Sequence, residues 1–372
     1  MWISELTLTR WRNHEQTHVS FQPGVTLFVG PNGQGKTNLL EAIRYLATLG
    51  SHRVTGSSAL IGDNHPAATI FATLRHEARD VAVGLTVKRQ GSSEATVSGN
   101  KAKVSEVPRW VSAVLFAPED ASIIRGEPGF RRAFVDELVI STSPSMAAVY
   151  QDFERVLKQR NSLLKSLRSS GGRADLSTLE VWNSNFVALA TDIAQARMSH
   201  LSSIMPMVND NYGHLAGGHS VSASYLPKGY VLGEVSPSQA DIALLIDEAL
   251  VEHRSEELDR GLSLIGPQRD DVELLIAGKP TRSHASQGET WSLALALRLA
   301  TASWLRQERP SGDPIIMLDD VFAELDAQRR ARLVEIIRDY QQIVITSAVE
   351  EDVPSALTGQ ILDVSQGVVN PR

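Results

Sequence analysis

A glycine-rich segment near the amino terminus limits the fold of this chain more than any other feature. Residues 30–37 read Gly-Pro-Asn-Gly-Gln-Gly-Lys-Thr and match the pattern G-x-x-x-x-G-K-[ST] at every fixed position. An apolar run at 25–29 precedes the segment, and apolar residues at helical spacing follow it at 37–49. Strand, glycine loop and helix in this order predict a phosphate-binding loop at the amino-terminal end of a helix.

The residue types of this loop indicate ATP and Mg²⁺ as cofactors. Lys36 reaches the β- and γ-phosphates, and the hydroxyl of Thr37 is a ligand of the Mg²⁺ ion. The remaining loop residues surround the phosphates with their backbone; they are Gly30, Pro31, Asn32, Gly33, Gln34 and Gly35. Glycine is favoured because the backbone has to curl tightly for its N–H groups to point inward.

A second acidic site follows near the carboxyl terminus. Four apolar residues at 315–318 lead directly into Asp319 and Asp320, which is the Walker B form of strand and carboxylates. At the carboxyl end of such a strand, Asp319 would hold Mg²⁺ beside Thr37. Asp320 would orient or deprotonate the attacking water. We therefore expect Asp320 and Lys36 to be the catalytic residues.

A helix-capping segment lies between the two nucleotide motifs. Ser286, Gln287, Gly288 and Glu289 precede a long apolar-rich stretch, and Asp326 follows the Walker B segment. The order of phosphate loop, Ser-x-Gly-Glu cap, Walker B and aspartate resembles that of the ABC-type ATPases. The resemblance implies that 286–289 is a signature that closes over the nucleotide of a second subunit. It also implies that Asp326 is the D-loop aspartate at the dimer interface.

Residues 38–285 separate the phosphate loop from the signature, which is far more than a transporter ATPase domain contains. Within this insert, residues 143–211 show apolar residues at heptad-like spacing, and 169–172 interrupt them with Ser and Gly. We expect an α/β ABC-type head with a mixed or antiparallel β subdomain and an inserted helical arm. The ATPase lobe would comprise 1–125 and 285–372, and the arm with the signature lobe 126–284.

The detailed motifs resemble those of the RecF family along nearly the whole chain. They lie at residues 6–13, 115–120, 126–136, 266–271 and 285–289. The resemblance adds Arg12 and Asn13 to the nucleotide-binding residues. The chain differs from transporter ATPases at Thr346 and Ser347, which stand in place of their switch histidine. We expect one of these two residues to take the role of that histidine.

This resemblance implies a weak ATPase of recombinational repair and replication. ATP would form a homodimer that clamps duplex DNA at gaps or junctions, and slow hydrolysis would release the DNA. RecR and RecO would be its partners in loading RecA. Two other functions stay open: a cytosolic ABC-type motor without DNA, and, less in keeping with the signature, a P-loop kinase.

The charge distribution offers two candidate DNA surfaces in an acidic chain. Lys and Arg number 36 against 43 Asp and Glu, so the net charge is −7. Six basic residues and no acid occur within 155–173. The candidate phosphate contacts are Lys88, Arg89, Lys101 and Lys103 in the β region and Arg155, Lys158, Lys165 and Arg168 in the arm. Ordinary solvated surface charge is the alternative for both groups.

Other sequence features exclude whole classes of protein. The chain has no cysteine, which excludes disulfides, thiolate zinc sites, iron–sulfur clusters and a cysteine nucleophile. No basic segment followed by an apolar run opens the chain, and no apolar stretch approaches the ~20 residues that span a membrane. We therefore expect a cytoplasmic protein that does not contact a membrane.

Overall fold

The computed structural model describes residues 1–54, 56–76, 79–169, 176–233, 237–308 and 312–372. The strands are β1 (Trp2–Trp11), β2 (His14–Ser20), β3 (Gly24–Val29), β4 (Ala67–His76), β5 (Arg79–Lys88), β6 (Glu94–Val97), β7 (Asn100–Ala102), β8 (Ala113–Phe116), β9 (Val221–Leu226), β10 (Asp271–Ile276), β11 (Lys279–Pro280), β12 (Ile315–Asp319), β13 (Gln342–Ser347), β14 (Gln360–Ser365) and β15 (Val368–Pro371). The helices are α1 (Lys36–Thr48), α2 (Ala121–Arg125), α3 (Pro128–Thr142), α4 (Met146–Ser169), α5 (Ser177–Ala216), α6 (Gln239–Glu252), α7 (Arg254–Arg260), α8 (Thr281–His284), α9 (Gln287–Glu308) and α10 (Ala327–Ile337).

The central sheet brings the two nucleotide motifs to one edge. Its strand order is β15-β14-β3-β13-β12-β8, and all neighbours pair in parallel except β14 with β15. Every residue of β12 and β13 is buried, as expected for strands covered on both faces. The phosphate loop follows β3, Asp319 ends β12 and Ser347 ends β13, so all three lie at the carboxyl edge.

A second sheet packs over the central sheet, with α1 between them. This sheet is antiparallel in the order β2-β1-β4-β5-β6-β7. One apolar core contains Leu8 from this sheet, Leu39 from α1 and Phe28 from the central sheet. The opposite face of the central sheet packs on α9, where Leu27 and Leu297 share another core. The expected ABC-type head with an antiparallel β subdomain is therefore confirmed.

The inserted arm is a hairpin of α4 and α5. Phe153 and Val156 on α4 pack against Phe186 and Ile193 on α5, and α6 covers the same core. The apolar spacing in the sequence predicted this pairing correctly, because apolar side chains three and four residues apart share one helix face. The predicted Ser/Gly interruption at 169–172 begins at Ser169, the last residue of α4, and its other residues lie outside the described part of the chain.

Four buried charged side chains connect the phosphate-loop helix to the signature helix. Arg44 of α1 binds Glu137 of α3 at 2.7 Å, and Arg298 of α9 binds Glu137 at 2.9 Å and Asp120 at 2.7 Å. Burial alone would raise the pKa of Glu137, but the charges of Arg298 and Arg44 outweigh it and lower the pKa to about 2. The two helices that carry the nucleotide motifs therefore share one ionic network.

No helix in the described part of the chain has both the length and the apolar character needed to cross a bilayer.

Candidate nucleotide site

The glycines of the phosphate loop are required by close approach and by backbone conformation. A Cβ on Gly30 would lie 2.2 Å from the carbonyl oxygen of Val364 on β14. Gly33 and Gly35 have positive φ angles of 80° and 112°, a region that residues with a side chain rarely adopt. The loop is thus shaped by its neighbours as well as by its own sequence.

Lys36 lies across the loop with its ammonium group on loop carbonyls. Its Nζ donates to Gly30 O and, at 2.9 Å, to Pro31 O. Burial lowers the pKa of Lys36, while the nearby Asp320 and Asp319 carboxylates oppose that fall. A phosphate that enters the loop would offer the ammonium group a stronger, charged acceptor than these carbonyls.

The Walker B aspartate lies directly beside the loop threonine. The hydroxyl of Thr37 donates to Asp319 Oδ1 at 2.9 Å, and the hydroxyl of Thr346 on β13 donates to the same oxygen at 2.6 Å. Burial raises the pKa of Asp319, and these two hydroxyl donors oppose the rise. Hydroxyl and carboxylate oxygens are the ligands that Mg²⁺ prefers, so Thr37 and Asp319 fit the ion expected there.

Asp320 leaves the strand in a strained backbone conformation. Its φ is 53°, in the left-handed region, and its backbone N–H donates to Thr346 O at 3.1 Å and to Thr346 Oγ1 at 3.2 Å. Strain of this kind persists where surrounding bonds enforce it, and it is concentrated at functional sites. Thr346 therefore holds the carboxylate of Asp319 and the backbone of Asp320, a role that the sequence did not reveal.

Both candidates for the missing switch histidine have intramolecular acceptors. Thr346 is buried and bound to Asp319, and Ser347 Oγ donates to Val349 O at 2.7 Å. Their substitution for the switch histidine stays a prediction, because it would require one hydroxyl to exchange its acceptor for a phosphate.

The turn between β1 and β2 supports the rear of the phosphate loop. Asn13 Nδ2 donates to Gln34 O at 3.1 Å, which brings this predicted residue to the loop. Arg12 instead binds the buried carboxylate of Glu41 at 2.7 and 2.8 Å. A nucleotide contact by its guanidinium therefore stays a prediction.

His14, which the sequence did not single out, lies fully buried in the same region. Its Nε2 is 3.0 Å from Gly35 O, and its Nδ1 is 2.9 Å from Gly367 O in the turn after β14. This histidine therefore connects the phosphate loop to the carboxyl-terminal hairpin.

The signature lies at the exposed start of α9. Ser286 Oγ and Ser286 N both donate to Glu289 Oε2, and Glu289 N donates back to Ser286 Oγ at 3.3 Å. This reciprocal capping box orders the segment without any ligand. Among the described residues, no hydrogen bond joins 286–289 to the phosphate loop of the same chain, and Asp326 separately caps α10 by accepting from Arg329 N at 2.9 Å.

The candidate DNA residues differ in their partners. Lys88 pairs with Glu94, Arg155 pairs with Asp152, Arg89 donates to loop carbonyls, and Arg168 donates weakly to Arg260 O. In contrast, four exposed lysines have no carboxylate within salt-bridge distance in the part of the chain that the structure describes; they are Lys101, Lys103, Lys158 and Lys165.

One basic residue of the arm stretch is a core residue. Arg160 is fully buried and donates to Asn183, Ser263 and Glu257, with its Nε 2.9 Å from Asn183 Oδ1. It joins α4 to α5 and α7, so it is not available to DNA. Arg173, the last basic residue of that stretch, lies outside the described residues.

Comparison with known proteins identifies the family of this chain. The family model described as RecF/RecN/SMC N terminal domain matches residues 2–367. A DNA replication and repair protein RecF from Clavibacter sepedonicus is 42% identical over 99% of this chain and 95% of its own length. Another from Streptomyces avermitilis is 43% identical over 99% of both chains.

Solved structures give the same relationship. One is a structure of the recombination mediator protein RecF with ATP, described as part of the RecFOR pathway. It superposes on this chain with a TM-score of 0.87 at 26% sequence identity, and the match covers 100% of this chain and 97% of that one. An Smc head bound to a winged-helix domain of ScpA, at 17% identity and a TM-score of 0.53, shares the fold over 100% of this chain and 96% of its own. The chain belongs to the RecF family of SMC-like ABC-type ATPases.

Proposed function

We propose that this chain is an ATP-dependent DNA-binding protein of recombinational repair and replication. One observation carries the proposal: a phosphate loop with its Walker B acids and a capped signature occur in one chain, and no hydrogen bond joins the loop to the signature among the described residues. Two copies related by a twofold axis would place each signature on the nucleotide of the other. ATP would then be the component that closes the dimer.

The residues of the site have separate roles in ATP binding and in ATP hydrolysis. The backbone of 30–35 and the ammonium group of Lys36 bind the phosphates, and Asp320 orients the attacking water. A Mg²⁺ ion held by Thr37 and Asp319 would neutralise phosphate charge. The ordered signature adds the amino-terminal end of α9 and the Ser286 hydroxyl from the partner subunit. Slow hydrolysis opens the dimer and releases the DNA.

Duplex DNA, held at gaps or junctions, is the proposed cargo of the closed dimer. Lys101, Lys103, Lys158 and Lys165 are exposed and free of salt bridges among the described residues, which makes them the strongest candidates for phosphate contacts. The net charge of −7 opposes DNA binding by a single chain. Closure of the dimer doubles the number of lysines that one duplex can meet.

The relatives suggest where the protein acts. A similar structure is described as a recombination mediator in the RecFOR pathway. We place this chain in the same pathway, with RecO and RecR as partners, delivery of RecA as the outcome and the cytoplasm as the compartment. Its ATPase lobe would be 1–125 with 285–372, and its arm and signature lobe 126–284.

Duplex affinity measured with ATP, with ADP and without nucleotide, each at two salt concentrations, tests the proposal. We expect tight, salt-dependent binding only with ATP. Affinity that changes with neither nucleotide nor salt would instead favour an ABC-type motor without DNA function. Transfer of phosphate to a small acceptor would indicate a kinase.

Two variants separate ATP binding from dimerisation. Lys36→Ala should lose ATP binding and dimerisation together, because the β- and γ-phosphates lose their cation. Ser286→Arg should keep ATP binding by the monomer and lose only the dimer. Normal ATP-driven dimerisation of Ser286→Arg, measured by light scattering, would contradict the exchange of signatures between subunits.

A further inference from the structure

One arginine joins the D-loop to the signature helix within a single chain. Arg329, in the first turn of α10, donates from Nε to Ser292 Oγ on α9 at 3.0 Å. The same guanidinium binds the carboxylate of Asp326 through Nη1. Ser292 is fully buried, so this contact reaches into the body of α9 and does not merely touch its surface.

The guanidinium also lies against the signature glycine. A Cβ on Gly288 would be 2.9 Å from Nη2 of Arg329, which means that the arginine fills the space that a side chain at this position would occupy. The three nitrogens of one guanidinium therefore face three different groups: Ser292, Asp326 and the backbone at Gly288. A planar fork of donors can do this, whereas a single ammonium group cannot.

Electrostatics alone would not place a cation here. Arg329 lies near the amino-terminal ends of both α9 and α10, where the helix dipole disfavours positive charge. The arginine stays because Asp326 neutralises it and Ser292 accepts its Nε–H. The position thus depends on specific contacts, and losing one of them should free the D-loop from the signature helix.

We propose that Arg329 is a positioning residue that holds Asp326 and the signature 286–289 as one rigid surface for the nucleotide of the second subunit. This inference rests on the proposed ATP-driven dimer. When the dimer closes, the D-loop and the signature both contact the second subunit, and Arg329 keeps their relative position fixed. Without it, the two motifs have to be positioned relative to each other when the dimer forms.

Arg329→Lys tests this role because it keeps the charge and removes the fork. We expect ATP affinity of the dilute monomer to stay within about twofold, while ATP-driven dimerisation weakens at least about tenfold from the loss of a charge-assisted hydrogen bond. Ser292→Ala should weaken dimerisation in the same direction. The double variant should be no worse than Arg329→Lys, because both changes break the same contact.

Arg338→Lys is the matched control at the other end of the same helix. The Arg338 side chain is 61% exposed and approaches Asp339 only at 3.8 Å. This control should dimerise like the wild type. Dimerisation of Arg329→Lys at wild-type affinity would overturn the inference, as would fully additive effects of the two substitutions or an equal loss of ATP binding and dimerisation.

A measurement on the monomer separates this inference from the proposed function. Hydrogen exchange at the amides of 286–289 should be faster in Arg329→Lys than in the wild type, whether or not a dimer forms. Faster exchange in the variant, together with a wild-type protein that stays monomeric with ATP, would support this link and refute the proposed function. A dimerising wild type with unchanged exchange in the variant would refute the link alone.

Discussion

Glu137 offers the sharpest test of the ionic network between the two motif-bearing helices. The substitution Glu137→Gln removes a carboxylate that Arg44 and Arg298 share, at 2.7 and 2.9 Å. The side chains of Arg44 and Glu137 are 6% and 5% exposed, so the substitution leaves a buried guanidinium group without this carboxylate partner. Breaking a buried pair in this way destabilises a protein by about 3–5 kcal/mol.

The pKa of Glu137 gives a similar magnitude. Its fall from 4.5 to about 2 in the folded protein corresponds to about 3 kcal/mol of stability at neutral pH. For a large domain each kcal/mol shifts the melting temperature by roughly 2–4 °C, so Glu137→Gln should melt about 6–12 °C lower. Thermal denaturation followed by circular dichroism at pH 7 measures this difference.

The pH dependence of the stability difference between wild type and Glu137→Gln can refute this reasoning. Because the folded pKa lies below the unfolded one, the stabilisation is complete above about pH 4.5 and is lost as the pH falls toward 2. The gap between wild type and Glu137→Gln should therefore narrow on acidification. Glu248→Gln, at an exposed position of α6, is the control. Equal stability of Glu137→Gln and wild type at pH 7, or a gap that is constant with pH, would refute the reasoning.

Three further predictions address the nucleotide and DNA surfaces. Gly30→Ala should abolish ATP binding measured by fluorescence titration, because its Cβ would lie 2.2 Å from Val364 O. Thr346→Val removes the 2.6 Å bond to Asp319 and should slow steady-state ATP turnover about tenfold while sparing ATP affinity; unchanged turnover would contradict this role. Lys165→Glu should weaken ATP-dependent duplex binding and flatten its salt dependence, whereas an unchanged slope would exclude the arm lysine as a phosphate contact.

The phosphate loop, Walker B strand and arm could be predicted because each is a local pattern. An apolar strand before a glycine loop, or apolar residues at helical spacing, specify a structure within one short segment. The same locality explains why 286–289 could be identified as a helix cap, which the reciprocal bonds of Ser286 and Glu289 confirm. The family likewise followed from motif order, which the comparisons confirm.

The role of a charged side chain could not be predicted in this way. Arg160 lies in a basic stretch of sequence yet is buried against Glu257, which is distant in the chain. Lys165, five residues later, is exposed and has no such partner among the described residues. Both occur on α4, and only the packing of α7 and the loop after it distinguishes them.

The sequence by itself determined the phosphate-loop pattern and the capped Ser-x-Gly-Glu segment, because both are backbone loops and helix ends built from neighbouring residues. The tertiary structure alone decided which side chains support them. Thr346 meets Asp319 because β12 and β13 are parallel and in register, and Arg329 meets Ser292 because α10 returns to the start of α9. Contacts between distant segments arise from packing, which no local pattern encodes.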